Sequence, residues 1–139
     1  MLAIERTVPT TCPYCGVGCQ IDLHVSGGQI VRVTGRYDNL VNFGNLCVKG
    51  RFGVDFVHAL DRLTAPQARR ARSAELAPVD WDHALDTVAG RLTTIRDESG
   101  PDSVAFLASA KCTNEENYLL QKLARGWIGT NNVDHCARL

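Results

Sequence analysis

The stretch TCPYCGVGC, residues 11 to 19, places Cys12, Cys15 and Cys19 at a C-x2-C-x3-C spacing, and a fourth cysteine, Cys47, follows in LCVKG. Clustered thiols in a chain without secretory features serve metal binding or redox chemistry more often than disulfide formation. Four thiolates can ligate a 4Fe-4S cube, one sulfur to each iron, with three ligands from a short loop and a fourth from a distant one. Gly16 and Gly18 would let the backbone fold tightly around such a group and aim N–H donors at its sulfides, while Pro13 stiffens the first bend. A four-cysteine structural zinc site is the alternative. Zinc ribbons usually pair two C-x2-C knuckles, whereas the second half here offers a single cysteine, and that asymmetry favours the cluster.

The remaining chemistry-bearing residues read more plainly. Cys112 and Cys136 each lie alone, and a lone cysteine is commonly a small buried hydrophobe. His135 precedes Cys136, but neighbouring side chains diverge on a strand or a helix, so the pair is weak evidence for a dyad. His24, His58 and His83 show no ligand spacing.

Two groups of elements must position these residues. Ile21, Leu23 and Val25 alternate with polar neighbours, SGGQ turns, and Ile30, Val31 and Val33 return, which predicts a hairpin over 20 to 34. RYDNLVNFGNLC is loop-like, and an apolar-periodic segment around Phe52, Phe56 and Leu60 follows it. Residues 1 to 62 are therefore expected to form a small, mostly β domain. RLTAPQARRARSAELAP reads as a connector. Asp80 can cap a helix bearing Trp81, Ala84, Leu85, Val88, Leu92 and Ile95 at helical spacing, with ESGPD ending it. SVAFLAS, 103 to 109, suits a buried parallel strand. Thr113 and Glu116 then form a T-x-x-E capping box for a helix carrying Leu120, Leu123, Ala124 and Trp127, stopped by Gly129, and no further strand comes after GTNNVDHCARL. The fold class is α/β overall, or α+β by segregation, and one or two strands cannot complete a covered parallel sheet.

Composition narrows the function. Fifteen basic and fifteen acidic side chains cancel, so no electrostatic grip on nucleic acid is indicated. No apolar run approaches a membrane span, and MLAIERTVPT lacks the features of a leader, which makes the cytoplasm the expected compartment.

Taken together, CPYCGVGC, LCVKGRFG and TNEENYLLQKLARGWIGTNNVDHCARL closely resemble the front of the catalytic subunit of formate dehydrogenases, members of the molybdopterin oxidoreductases. The resemblance covers nearly the whole chain and weakens in APQARRARSAEL, where the family usually carries a more apolar stretch. GTNNVDHCARL points to formate dehydrogenase over nitrate reductase relatives. The resemblance implies a 4Fe-4S domain over 1 to 62, then a connector and the incomplete start of an α/β molybdopterin-binding domain over 63 to 139. It implies that Cys12, Cys15, Cys19 and Cys47 hold the cluster near a bis(molybdopterin guanine dinucleotide) carrying molybdenum or tungsten. Lys49 matches the lysine that the family places between cluster and pterin, where a cation would favour extra negative charge on the reduced cluster. Read alone, it is a surface lysine. Lys111, Thr113 and Asn114 stand at a helix N-terminus suited to phosphate, and Gly129, Thr130, Asn131 and Asn132 would lie near the cofactor; ordinary cap and turn roles are the alternative for both sets.

In that family the metal-binding cysteine or selenocysteine follows the HCARL-like segment, and a catalytic histidine comes next. The sequence ends at Leu139, one position short, so a selenocysteine codon read as a stop is expected, with a chain inactive by itself. The complete enzyme would oxidise formate to carbon dioxide and pass electrons to a partner subunit or ferredoxin. Two other classes compete: a stand-alone 4Fe-4S electron carrier and a zinc-ribbon interaction module. The carrier reading leaves the apolar faces beyond residue 80 uncovered, which predicts aggregation or association.

Overall fold

The computed structural model describes residues 3–136, so the expectation attached to Leu139 lies outside the described residues. The chain divides into two compact units. One comprises Met1–Arg62, Ala108–Leu119 and His135–Leu139, and the other Leu63–Leu107 and Leu120–Asp134.

The first unit is built on a three-stranded antiparallel sheet in the order β1-β2-β3, from Arg6–Thr11 (β1), Gln20–Ser26 (β2) and Gln29–Gly35 (β3). The predicted hairpin is β2 and β3. Its two-residue turn is Gly27-Gly28, with φ of 55° and 75°, and tight hairpins need such positive values because their twist then matches that of the strands. A bulge at His24/Val25 lets Val31 drop out of register, so Val25 pairs with Ile30. Alternation on β2 and β3 sends Ile21, Val25 and Val33 inward, and Ile21 and Val33 pack with Cys12 against Tyr14, Cys19, Leu23, Ile30, Leu46 and Val54. A thiol of the proposed site is thus part of the core.

β1 has no counterpart among the sequence expectations. Most of its side chains are exposed, so it carries no inward alternation to read, and its pairing with β2 comes from a partner remote in sequence. After the sheet, Val48–Phe52 forms a short helix (α1) and Asp55–His58 a 3-10 turn, which resolve the apolar-periodic segment expected there.

In the second unit, Gln67–Ala68 (β4) and Ala77–Pro78 (β5) close a two-residue antiparallel ladder inside the connector. Helix α2, Trp81–Ser99, starts where predicted, with the Asp80 carboxylate accepting from the His83 N–H at 2.7 Å. Its end is marked by Gly100 at φ 84°. None of its residues is buried, and the predicted apolar face stays open, with Trp81, Leu85 and Val88 66%, 59% and 57% exposed. The strand expected over 103 to 109 shrinks to Phe106–Ala108 (β6), and Leu107 is 83% exposed, which corrects the expectation of a buried parallel strand. Pro101–Ser103 forms a 3-10 turn and claims the first of those residues. Within GTNNVDHCARL, to which the sequence assigned no element, Val133–His135 forms a strand (β7) that pairs with β6.

Helix α3, Asn114–Lys122, begins with the predicted capping box: the Glu116 N–H donates to Thr113 Oγ1 at 3.2 Å, and the Thr113 N–H donates to Glu116 Oε2 at 2.7 Å. It runs into a π-helical stretch, Leu123–Ile128, that periodicity did not suggest. Gly129, at φ 91°, ends it by donating its N–H to the Ala124 carbonyl at 2.9 Å. Ala124 and Ile128 are buried, and Arg96 stacks 5.7 Å from the Trp127 ring centroid while donating to the Trp127 carbonyl.

Candidate metal centre

The cysteine loop leaves β1 and enters β2, and its mouth is closed by the Cys12 N–H donating to the Cys19 carbonyl at 2.8 Å. Gly18, at φ 69°, supplies the left-handed turn within it. The fourth cysteine is brought up by an asparagine-rich loop. Asn39 Oδ1 accepts from the N–H groups of Val41 and Asn42, at 2.9 and 3.0 Å, in a local turn. Buried Asn42 then grips the start of β2, accepting from the Gln20 N–H at 2.8 Å and donating to the Gln20 and Asn45 carbonyls at 3.2 and 2.9 Å. This clamp fixes the run to Cys47 beside Cys19. Sequence reasoning missed it, because an asparagine scattered in a loop gives no sign that its amide is fully used.

Cys47 is the residue before α1, and buried Gly50 faces back toward the loop, where a Cβ in its place would lie 3.4 Å from Cys12 Sγ. Tyr14 reaches over α1 to donate to the Gly53 carbonyl, and its ring meets Phe56 edge-on at 6.2 Å.

These contacts place Cys12, Cys15, Cys19 and Cys47 on the wall of one cavity of about 470 Å³, completed by Tyr14, Val17, Val41, Asn42, Phe43, Asn45, Leu46 and Gly50. The Cys19 thiol is pushed up from its usual range by burial, and then by the charges of Cys12, Cys15 and Cys47. Mutual repulsion of this kind is what a bound cationic group relieves. Cys47 is instead drawn down by the Gly50 and Lys49 backbone N–H groups and further by the Lys49 charge, which favours the thiolate that ligates metal. Among the described residues no group of three or more His, Cys, Asp or Glu side chains is placed to share a single metal ion. A zinc ion, bound at about 2.3 Å from each sulfur, needs them drawn together at one point. The cavity of about 470 Å³ that the four thiols line has room for a multi-iron group.

The other predicted residues divide. Lys49 is exposed on α1, two positions after Cys47. Lys111 is exposed, and Thr113 is engaged in the capping box. Asn114 donates to the Gly16 carbonyl at 2.7 Å, tying the start of α3 to the cysteine loop. The side chains of Thr130 and Asn132 are spent internally: Thr130, 1% exposed, donates to Asp102 Oδ1 at 2.9 Å, and Asn132 donates to the Asp102 carbonyl at 2.9 Å. Gly129 and Asn131 are exposed. Cys112 is half-buried, but Cys136 is exposed, with its sulfur 3.4 Å from Ser109 Oγ, which corrects the reading of that thiol as a buried hydrophobe. His24 lies between Thr7 and Thr34 at 3.3 and 2.9 Å, and His58 Nε2 accepts from the Ile30 N–H at 3.0 Å, so both histidines hold the sheet.

Comparison with known proteins decides the family. Residues 5–59 match the molybdopterin oxidoreductase Fe4S4 domain, and residues 62–139 match the molybdopterin oxidoreductase domain. The chain belongs to the molybdopterin oxidoreductases. It is 49% identical over 135 residues to the probable oxidoreductase YjgC of Bacillus subtilis, covering 97% of this chain and 13% of that protein. It is 47% identical to the alpha subunit of F420-dependent formate dehydrogenase 2 of Methanococcus maripaludis and 47% identical to formate dehydrogenase H of Escherichia coli, covering 96% of this chain and 19% of each relative. The chain therefore spans less than a fifth of the length of these relatives. No helix among the described residues is long and apolar enough to cross a membrane.

Proposed function

We propose that this chain is the cluster-bearing portion of a formate dehydrogenase, with Cys12, Cys15, Cys19 and Cys47 as the four ligands of a 4Fe-4S cluster. The single observation that carries the assignment is that these thiols, and neither Cys112 nor Cys136, line one cavity. The family match to an Fe4S4 domain over 5–59 supports the group's identity. When bound, the cluster supplies one-electron redox chemistry between the pterin-bound metal and an acceptor.

The chain's own residues prepare the site. The Cys47 thiol is drawn down by backbone N–H groups, which favours its ionised form, Gly50 leaves room beside Cys12, and the Asn42 clamp ties the two loops together. Lys49, exposed on α1 two positions after Cys47, would stand between cluster and pterin and supply positive charge that eases reduction. Lys111, Thr113 and Asn114 would serve the pterin from the start of α3, and Gly129, Thr130, Asn131 and Asn132 from the segment that follows the π-helical stretch. Since the hydroxyl of Thr130 and the amides of Asn114 and Asn132 have internal partners, these positions would contribute local shape and backbone groups rather than side-chain hydrogen bonds.

We assign residues 1–62 to the cluster domain and 63–139 to the connector and start of the pterin domain. Formate is the substrate of the whole protein, with a bis(molybdopterin guanine dinucleotide) of molybdenum or tungsten as its cofactor, a partner subunit or ferredoxin as acceptor, and the cytoplasm as its place of work. The names of the M. maripaludis and E. coli relatives support formate. At under a fifth of their length, this chain alone does not turn formate over.

The test is a cysteine series in anaerobically reconstituted protein. Alanine at position 12, 15, 19 or 47 removes most bound iron, whereas Cys112→Ala and Cys136→Ala leave it intact. Equal iron in all six variants would refute the ligand set.

A further inference from the structure

Helix α1 has two sides. Its Gly50, with Cys47 just before the helix, lines the cysteine cavity. Its Arg51 and Phe52, with Val54 and Asp55 just beyond, line a separate groove of about 650 Å³ whose other wall is Ile30 to Val33 on β3. Both cavities therefore border the same short helix. The groove adjoins a second hollow that shares Arg32 and Arg51 and adds Arg36, Tyr37 and the acidic residues Asp22 and Asp38.

The charges along this face are unequally satisfied. Arg36 is held by Asp38 at 3.1 Å and Asp22 at 3.8 Å. Among the described residues, no carboxylate forms an ion pair with Arg32 or Arg51. Asp55 is the one acidic residue lining the larger groove. Beside the two free guanidinium groups stand Phe52, 68% exposed, and Val31, 38% exposed. Arginine with exposed aromatic and aliphatic surface is the composition of a protein docking site, because guanidinium groups pair bidentately with carboxylates while the rings supply desolvated area.

We propose that the α1/β3 groove is the docking face for an acidic one-electron carrier protein, whose carboxylates pair with Arg32 and Arg51 while Phe52 and Val31 pack against its surface. This rests on the cluster reading above. In each encounter the carrier gains one electron and the centre behind α1 loses one, with no bond made or broken, so two encounters clear the pair released by one formate. Opposite charges steer such encounters, which makes them faster and salt-sensitive.

The experiment uses the anaerobically reconstituted 139-residue chain, an acidic b-type cytochrome as probe and a basic c-type cytochrome as comparator. Iron and labile sulfide are assayed first and score the cluster reading by themselves. Binding of the oxidised probe is then titrated, and its reduction by the pre-reduced chain is timed at rising salt. The expected results are binding and rates that fall with salt for the acidic probe only, and a loss of about tenfold or more in both for Arg32→Glu/Arg51→Glu, with iron content unchanged. Arg69→Glu/Arg70→Glu, with the same charge change in the other unit, is expected to leave both intact. The salt series on the unaltered chain stands even where a variant misfolds. Salt-independent binding, equal preference for the basic probe, or equal losses in the two double variants would overturn the docking assignment while leaving the cluster untouched.

Discussion

The sheet unit and the helix α2 use their apolar residues in opposite ways. In the sheet, Ile21 and Val33 are 1% and 3% exposed and pack around Cys12, so the frame and the metal site share one core. Along α2 no residue is buried, although its apolar stripe is as regular as any in the chain. A region that buries its own surface can build a site from its own residues. A region that does not leaves its apolar stripe open to solvent or to association.

That contrast can be broken by substitution. Ile21→Ala is expected to cost about 2 to 5 kcal/mol in urea unfolding, through lost burial and the cavity left beside Cys12. Replacing the helix cap, Asp80→Ala, is expected to cost about 1 kcal/mol by stranding the His83 N–H. Leu85→Ala deletes a side chain of similar size to Ile21 yet is expected to stay within about 0.5 kcal/mol, because 59% of the residue is already exposed. A loss above about 2 kcal/mol at Leu85 would mean that the face is packed in solution, by self-association, for instance, and would erase the contrast.

The smallest effect concerns the thiols outside the cavity. The Ser109 hydroxyl, then the Ala110 backbone N–H, hold Cys136 below the usual thiol range. A lowered value means more thiolate at a given pH, so exposed Cys136 is expected to alkylate faster than half-buried Cys112 near neutrality. Mass-mapped alkylation of the metal-free chain reads this directly, and a faster Cys112 would contradict it.

Local signals were legible and non-local ones were not. The Gly27-Gly28 turn, the Asp80 cap and the Thr113/Glu116 box are written in adjacent residues and appear as read. Strand β1 could not be read because both of its faces are largely exposed, and β7 because three residues give no period. The π-helical stretch shifts hydrogen bonds by one residue without changing the apolar spacing enough to notice. The cysteine motif disclosed four candidate ligands, but the clamp that makes them one site, Asn42 on the start of β2, depends on contacts 22 residues apart.

The central claim is that the cavity holds a four-iron group, and the most direct measurement is the metal and sulfide content of the chain purified or reconstituted without oxygen, read with its visible spectrum. The account predicts a brown protein absorbing near ~400 nm with four iron and four sulfide per chain, as its Fe4S4 family match requires. A colourless protein carrying one zinc would contradict it.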